Sequence, residues 1–237
     1  MITVDFKRLD VRPGFRILDI GCGSGRHTGA AARIRDVRVV GTDICFDDLN
    51  EARGRLNLLE SWGEIRGRWN LAATDITTLP FGESAFDLVI CSEVLEHIPD
   101  QHRAISEIIR VLKPGCNLVV SVPRYLPERI CWALSESYRN TPGGHIRIYR
   151  KKALTRLLES RGVKKWGFHW AHSLHTPYWW LKCLVGPDRK DSLPVNLYHR
   201  LLVWDMMARP RLTRLAEKLL NPFMGKSIVL YLKKESA

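Results

Sequence analysis

The stretch RILDIGCGSGRHT (residues 16–28) runs from a short apolar segment into three glycines at alternate positions, Gly21, Gly23 and Gly25. A strand that opens into glycine-rich backbone and then into a helix leaves free N–H groups and the positive end of the helix dipole facing one spot. Such a turn favours an anionic or nucleotide-like ligand. Which ligand it holds depends on the residues around the glycines.

Three ligand-binding motifs compete here with a purely structural glycine turn. A phosphate-binding loop needs a lysine after its last glycine, whereas Arg26, His27 and Thr28 follow Gly25. A dinucleotide fingerprint needs its third glycine one position later, where Arg26 stands. The third motif, an acidic residue followed by three alternate glycines, is typical of S-adenosylmethionine sites, and Asp19 completes it.

Two more carboxylates stand at the ends of predicted strands. Asp43 ends VRVVGTD (37–43), and Asp75 ends WNLAATD (69–75). Ligands of open α/β sheets bind at the carboxyl ends of the strands, where one carboxylate can accept from both hydroxyls of a ribose. A second can accept from the amine of an adenine. Either aspartate alone is explained equally well as a turn or cap residue, but the set favours a ligand site.

The elements that position these residues alternate between apolar segments and helical patterns, which favours a parallel sheet with crossover helices. The first five strands are predicted at 16–20, 37–43, 69–75, 86–92 and 117–123, with helices at 25–34, 46–60, 100–112, 126–140 and 151–162. Two further strands are predicted at 163–170 and 226–234. The segment 171–225 between them is too long for an ordinary connection, so a helical insertion is expected.

These motifs resemble those of class I S-adenosylmethionine-dependent methyltransferases, in particular the type-11 group that includes ubiquinone- and menaquinone-pathway enzymes. The resemblance covers residues 14–165 and rests on LDIGCGSG, GTDI, TDITTLPF, FDLVICSEVLEHI and LKPG. It implies a Rossmann-like α/β fold whose seven-stranded sheet has the order 3-2-1-4-5-7-6, with the last strand antiparallel. We expect one domain over residues 1–237, in which the insertion at 171–225 forms a substrate cap or surface arm.

The resemblance also implies which residues hold the cofactor, S-adenosylmethionine. Its methionine part is assigned to Asp19, Gly21, Gly23 and Gly25. The ribose is assigned to Asp43, and the adenine to Asp75, the backbone of Ile76 and the side chain of Ile44. Ser92 is expected to line the region of the reacting sulfonium.

Methyl transfer from a sulfonium needs a base only if the acceptor must lose a proton. His97, after the fourth strand, and His145, after two loop glycines, are candidates for that base, and Tyr149 is a weaker one. Packing or capping explains His97 equally well. His169, His172 and His175 lie three residues apart, but no cysteine or carboxylate is spaced beside them, so no metal site is predicted.

Charge divides the chain into two unequal halves. Residues 1–120 carry 15 Lys and Arg against 17 Asp and Glu, whereas residues 121–237 carry 22 against 8 and hold six of the eight tryptophans. The first residues are charged rather than apolar, and the six cysteines are scattered without a C-x-x-C pair. These features favour a cytoplasmic protein with reduced thiols.

The insertion combines an apolar helical pattern with positive charge. Leu212, Leu215 and Leu219 recur at helical spacing, and the positions between them include Arg209, Arg211, Arg214 and Lys218. Together with Trp179 and Trp180, this pattern is consistent with peripheral contact between the protein and the anionic inner surface of a membrane. The competing interpretation is a pair of helices whose apolar faces point into the core.

The function predicted from the sequence is methyl transfer to a small or lipid-like acceptor, at oxygen or carbon. An RNA substrate is the first alternative, because the second half is basic and tryptophan-rich. Against it, CSEV stands where amino-group methylases of nucleic acids carry two prolines and an aromatic residue. A cofactor-binding protein without transfer activity is the second alternative. The oligomeric state is left open.

Overall fold

The computed structural model describes residues 2–208 and 210–236. Its strands form one sheet in the order β3-β2-β1-β4-β5-β7-β6. The strands are β1 (Arg16–Ile20), β2 (Arg38–Asp43), β3 (Arg68–Ala73), β4 (Phe86–Ser92), β5 (Leu112–Pro123), β6 (Val163–Ala171) and β7 (Ser227–Lys234). Neighbouring strands are parallel from β3 to β5, and β7 runs antiparallel to both β5 and β6. The predicted fold class is confirmed.

Helices connect the strands and form the insertion. They are α1 (Arg26–Ala32), α2 (Phe46–Ser61), α3 (Gln101–Val111), α4 (Tyr125–Leu134), α5 (Glu136–Arg139), α6 (Lys151–Glu159), α7 (His175–Val185), α8 (Leu193–Ala208) and α9 (Arg211–Met224). A short 3-10 helix, Phe6–Arg8, precedes β1. The predicted helices before β6 are present with shifted ends, and the one predicted at 126–140 is divided into α4 and α5.

The sheet is buried on both faces, which explains the continuous apolar runs of its central strands. On one face, Ile105 and Ile108 of α3 pack in a cluster that includes Leu18 and Val89. On the other face, Ile17 and Tyr231 belong to a second cluster. Because β1, β2, β4, β5 and β6 all run in the same direction, the loops after them meet at one edge of the sheet.

Several boundaries differ from the predictions, three of them with a clear physical cause or consequence. The helix predicted at 126–140 breaks at Ser135, whose extended backbone and side chain cap α5 by accepting a hydrogen bond from the Tyr138 N–H. Strand β5 begins at Leu112 rather than 117, because a shift in register after Phe86 lets the Lys-Pro-Gly segment join the ladder. Strand β3 ends at Ala73, so Asp75 lies in the turn beyond it.

The insertion at 171–225 is helical, as predicted, and comprises α7, α8 and α9. Pro210 stands directly before α9 as its N-cap, and Arg209 lies outside the described residues. The Trp180 indole donates to the Pro127 carbonyl on α4, which ties α7 to the sheet domain. Within residues 2–208 and 210–236, no helix combines the length and apolar character needed to cross a membrane.

Candidate functional site

The three glycines after β1 all adopt positive φ values, 64° at Gly21, 47° at Gly23 and 74° at Gly25. A Cβ at Gly21 would stand 2.3 Å from Cγ2 of Val94, so only glycine lets the turn approach the loop after β4 this closely. A Cβ at Gly23 would meet no described atom within 4 Å. The turn therefore packs closely against the loop after β4 at Gly21, whereas the space beside Gly23 is open.

Asp43 connects the end of β2 to this turn. One carboxylate oxygen accepts the Gly23 N–H at 2.8 Å, and the other accepts the Cys45 N–H at 3.0 Å. An ionised carboxylate accepts about four hydrogen bonds, so both oxygens retain capacity for a ligand. Asp43 thus both shapes the glycine turn and offers the acceptor pair that a ribose needs.

Asp19 is fully buried at the base of the turn. Its Oδ2 accepts the hydroxyl of Thr28 at 2.6 Å, while Oδ1 has no hydrogen-bond partner among the described residues. Burial raises the pKa of this carboxyl to about 7, although the hydrogen bonds from Thr28 oppose the shift. A cationic group placed near Oδ1 would reverse that burial effect.

The residues predicted to contact the adenine differ in their exposure to solvent. Ile44 is 71% exposed directly after Asp43, as a residue that covers a ligand face must be. Ile76 is buried in the core. Asp75 is exposed, and its Oδ1 caps the next turn by accepting from the N–H and hydroxyl of Thr77. Its other oxygen is the one left for an amine donor.

Ser92, at the end of β4, is covered by a residue that the sequence did not single out. Its hydroxyl lies 2.9 Å from that of Thr3 and 2.7 Å from that of Ser121. The Thr3 N–H also donates to Nε2 of His27, at 3.0 Å. The first residues of the chain therefore lie across the sulfonium region that Ser92 was predicted to line.

His97 and His145 meet above the end of β4, with ring centroids 4.9 Å apart. The Nδ1–H of His97 donates to the carbonyls of Gly143 and Gly144, at 2.9 and 3.1 Å. Nδ1 of His145 lies 2.5 Å from Oε1 of Glu128. In both rings the hydrogen bond at Nδ1 leaves Nε2 as the nitrogen that can accept a proton.

Glu128 orients His145 from the buried face of α4. Only 2% of its side chain is exposed, and the Tyr138 hydroxyl donates to it as well. Burial opposes the ionisation of Glu128, but the hydrogen bond and charge of His145 outweigh it and lower the pKa of the carboxyl. The pair is a carboxylate–imidazole dyad. Glu128 lies 17 residues from His145 in the chain, and no sequence motif connects the two.

Glu96 brings a second carboxyl to the same place. It is fully buried, and neither of its oxygens has a hydrogen-bond partner among the described residues. Burial and the nearby Glu93 raise its pKa well above the ordinary range. Glu96, His97 and His145 bring donor atoms within 4.8 Å of one another, a set that can share a proton or hold a divalent cation.

Tyr149 is placed apart from the two histidines. Its ring is buried in the core, and its hydroxyl donates to Oε1 of Gln101 at 2.6 Å. Burial also raises its pKa. This geometry favours a packing role for Tyr149 over the proton transfer that the sequence suggested.

The three histidines at 169, 172 and 175 do not form one cluster. The His169 ring stacks on Tyr231, with centroids 5.6 Å apart. His172 and His175 instead meet Glu217, a carboxylate from α9 that is more than forty residues away in the chain. The spacing in the sequence therefore did not predict that a carboxylate lies beside two of these histidines.

The Methyltransf_11 family, a methyltransferase domain, matches residues 18–120 of this chain. Those residues hold β1 to β4 and the first part of β5, and they include the glycine turn and His97. The chain is 39% identical over 123 residues to the ubiquinone biosynthesis O-methyltransferase of Hahella chejuensis, a match that covers 52% of this chain and 49% of that protein. This chain spans 40–49% of the first three relatives it matches.

Solved structures resemble the whole chain. A SAM-dependent methyltransferase of Methanosarcina mazei covers 100% of both chains with a TM-score of 0.64 at 17% identity. The 4+2-cyclase SpnF covers 98% of this chain and 79% of its own, with a TM-score of 0.65 at 21% identity. At such identities the likeness shows the fold alone.

The buried carboxyl of Asp19 makes a prediction about stability. Its folded pKa of about 7 exceeds its ordinary value of 3.8, so the folded protein holds a proton that the unfolded chain releases as pH rises. We expect Asp19→Asn to gain stability over the unsubstituted protein between pH 4.5 and 7.5, by on the order of 3 kcal/mol. Urea unfolding at each pH measures this. A stability difference between Asp19→Asn and the unsubstituted protein that stays constant with pH would contradict the assignment.

Proposed function

This chain belongs to the class I S-adenosylmethionine-dependent methyltransferases, and from that premise we propose that it methylates an oxygen of a small or lipid-like acceptor. The observation that carries this proposal is the Glu128–His145 dyad, which stands over the end of β4. The loop after β4 touches the glycine turn through Val94 and Gly21. A base and a donor site thus share one edge of the sheet.

The turn fits the cofactor on three counts. Gly23 faces open space, Asp43 has acceptor capacity left on both oxygens, and Asp19 keeps a buried oxygen without a partner among the described residues. The open space at Gly23 allows close approach of the ligand. Asp43 can accept from a ribose diol, and Asp19 can accept from an ammonium group. S-adenosylmethionine supplies a methyl carbon that its sulfonium has already activated.

The residues of this chain then have two tasks, to align the acceptor and to take its proton. His145 is the proposed base: Glu128 holds its Nδ1, so Nε2 remains to accept the proton of a hydroxyl. His97 has the same tautomer, fixed by the carbonyls of Gly143 and Gly144. We assign it to orienting the acceptor or assisting the base. C-methylation of an acidic carbon would use the same groups.

The helices of the insertion support a lipid-like acceptor. Large apolar side chains lie exposed at helical spacing on α8 and α9, and no side chain of α9 is fully buried. They are Leu193, Leu197, Leu201 and Trp204 on α8, and Leu212, Leu215, Leu219 and Phe223 on α9. An exposed apolar stripe of this size is the mark of a binding surface rather than of a core-facing helix.

The charge of the insertion matches an anionic lipid surface. Residues 171–225 hold eight Lys and Arg against four Asp and Glu, and each basic residue near such a surface gains about 1 kcal/mol. The tryptophans have another role than the sequence suggested. Trp180 bonds to α4, and Trp179 packs on Tyr138 at 5.8 Å, so the two fasten the insertion to the domain.

Removal of the Asp43 carboxylate tests the donor site. Asp43→Ala loses two hydrogen bonds from a ribose to a charged group, about 1.5–3 kcal/mol each. We expect affinity for S-adenosylmethionine and S-adenosylhomocysteine to fall by roughly 10²–10⁴-fold in titration calorimetry, with a smaller loss in the isosteric Asp43→Asn. Asp188→Ala should bind like the unsubstituted protein. Full affinity in Asp43→Ala would refute the ribose assignment.

Kinetics with an acceptor test the dyad. The acceptor is to be found by incubating cell extracts with methyl-labelled S-adenosylmethionine. His145→Ala should lower kcat by roughly 10²–10⁴-fold with cofactor affinity intact, and Glu128→Gln should move the rise of the rate with pH to lower pH. His102→Ala, at an exposed site on α3, is the matched control. Full turnover in both His145→Ala and His97→Ala would mean that alignment alone drives the transfer.

Vesicle flotation tests the lipid surface. We expect binding to anionic vesicles at low salt, weaker binding at high salt, and none to neutral vesicles. The double substitution Arg211→Glu and Lys218→Glu should reduce binding to anionic vesicles by about tenfold or more. The double substitution Leu219→Ser and Phe223→Ser should have the same effect. The matched controls are Arg35→Glu and Trp62→Ser, at exposed sites away from the insertion. Indifference to lipid charge together with salt-sensitive RNA binding would favour the RNA alternative instead.

A further inference from the structure

A second group of ligating side chains lies outside the proposed methyl-transfer site, where β6 enters the insertion. His172 follows β6, His175 is the first residue of α7, and Glu217 lies on α9. One donor atom from each lies within 4.8 Å of those from the other two. Three separate stretches of backbone thus bring two imidazoles and a carboxylate to one point.

These side chains are buried and incompletely satisfied. The side chains of His172 and Glu217 are 14% and 13% exposed, and His175 is buried. Nε2 of His172 and Nδ1 of His175 have no hydrogen-bond partner among the described residues. Since buried polar atoms are nearly always bonded, two orphan ring nitrogens beside one carboxylate call for an explanation.

The backbone around the ligands is held in place by bonds to α9. The Ser173 N–H donates to Oδ1 of Asn221 at 2.9 Å, and the Thr176 hydroxyl donates to the Met224 carbonyl at 2.6 Å. His172 itself has φ of 65°, a left-handed conformation that is uncommon for a residue with a side chain. Strain of this kind persists where surrounding contacts enforce a particular side-chain direction.

The carboxylate of Glu217 lies between a histidine and an arginine. Oε2 of Glu217 accepts from Arg214 at 3.0 Å, and Oε1 lies 3.8 Å from Nδ1 of His172. Arg214 also pairs with Asp205, so its charge is shared between two carboxylates.

We propose that His172, His175 and Glu217 bind a divalent transition-metal ion of the Zn²⁺ class, with water in the fourth position. Two imidazoles and one carboxylate form a ligand set of zinc sites that keep an open position. Tetrahedral ligands at zinc distances stand about 3.3 Å apart, so side-chain rotation must bring the donors about 1.5 Å closer at most. Of the three ligands, Glu217 lines an open cleft of about 540 Å³.

The ion would fasten the insertion to the sheet. Its ligands come from the end of β6, the start of α7 and the middle of α9, so coordination joins both ends of the insertion beside the ligand-binding edge. This inference stands apart from the proposed methyl transfer, because neither the dyad nor the glycine turn takes part.

Cobalt serves as a visible probe of the site. Protein without a histidine tag, stripped with EDTA, is titrated with Co²⁺ alone. We expect one equivalent to bind with the intense visible absorption of four-coordinate Co²⁺. His172→Asn, which tolerates the left-handed backbone, and Glu217→Gln should each weaken binding by about 10–100-fold. His199→Ala, at an exposed site on α8, is the matched control and should bind as tightly as the unsubstituted protein.

Thermal melting gives a second measurement, independent of activity. Zn²⁺ at a hundred times its Kd should raise the Tm of the unsubstituted protein by about 5–10 °C, reversibly with EDTA, and should raise that of either variant by at most about half as much. If one of the two variants already melts at a lower temperature without metal, the other variant alone tests the proposal. Unchanged binding in both variants would overturn the proposal, as would a wild-type protein that binds no Co²⁺. Loss of all binding in His145→Ala alone would overturn it too, since it would place the ion at Glu96 and His97.

Discussion

The direction of β7 is the constraint on which the arrangement of the site depends. Because β7 runs antiparallel between β5 and β6, Pro123 and Ala171 both pair with Ser227 at the same edge of the sheet. The insertion must therefore leave the sheet and return to it at the edge where the glycine turn and the dyad lie. An insertion between any other two consecutive strands would join strands that run in the same direction, so it would begin at one edge of the sheet and end at the other. The position of α7 to α9 follows from topology, before any contact of their side chains is considered.

The same edge concentrates carboxyl groups in places where burial disfavours their charge. Asp19 and Glu96 have raised pKa values for that reason, whereas Glu128 is buried as deeply and keeps its charge because His145 lies against it. A fold optimised for stability alone would replace such groups by apolar ones. Perturbed groups of this kind cluster at functional sites, so their presence at one edge is the reason for placing the candidate site there.

Most of the sheet and the donor half of the site could be predicted from the sequence, because the information there is local. Asp19, Asp43 and the glycines are each placed by the strand that precedes them, and the helical spacing of Ile105 and Ile108 predicts the buried face of α3. Glu128 and Glu217 could not be found in this way. Their partners lie 17 and at least 42 residues away, and only the packing of α4 and α9 brings them together. The boundary errors at Ser135 and Leu112 have a similar origin, since a cap and a register shift decide them rather than periodicity.

The insertion divides its residues between two surfaces, and this division explains why its pattern was ambiguous in the sequence. Its inward side meets the domain through polar and aromatic groups: the Trp180 indole donates to the Pro127 carbonyl, and the Arg124 guanidinium donates to the carbonyls of Asn221 and Pro222 on α9. Its outward residues include the leucines of α9, which in an ordinary amphipathic helix would face the core. A prediction from polarity alone would therefore place the leucine face of α9 against the core. Helix α9 thus meets its own domain with polar groups and presents its leucines and basic side chains outward, the reverse of an ordinary amphipathic helix.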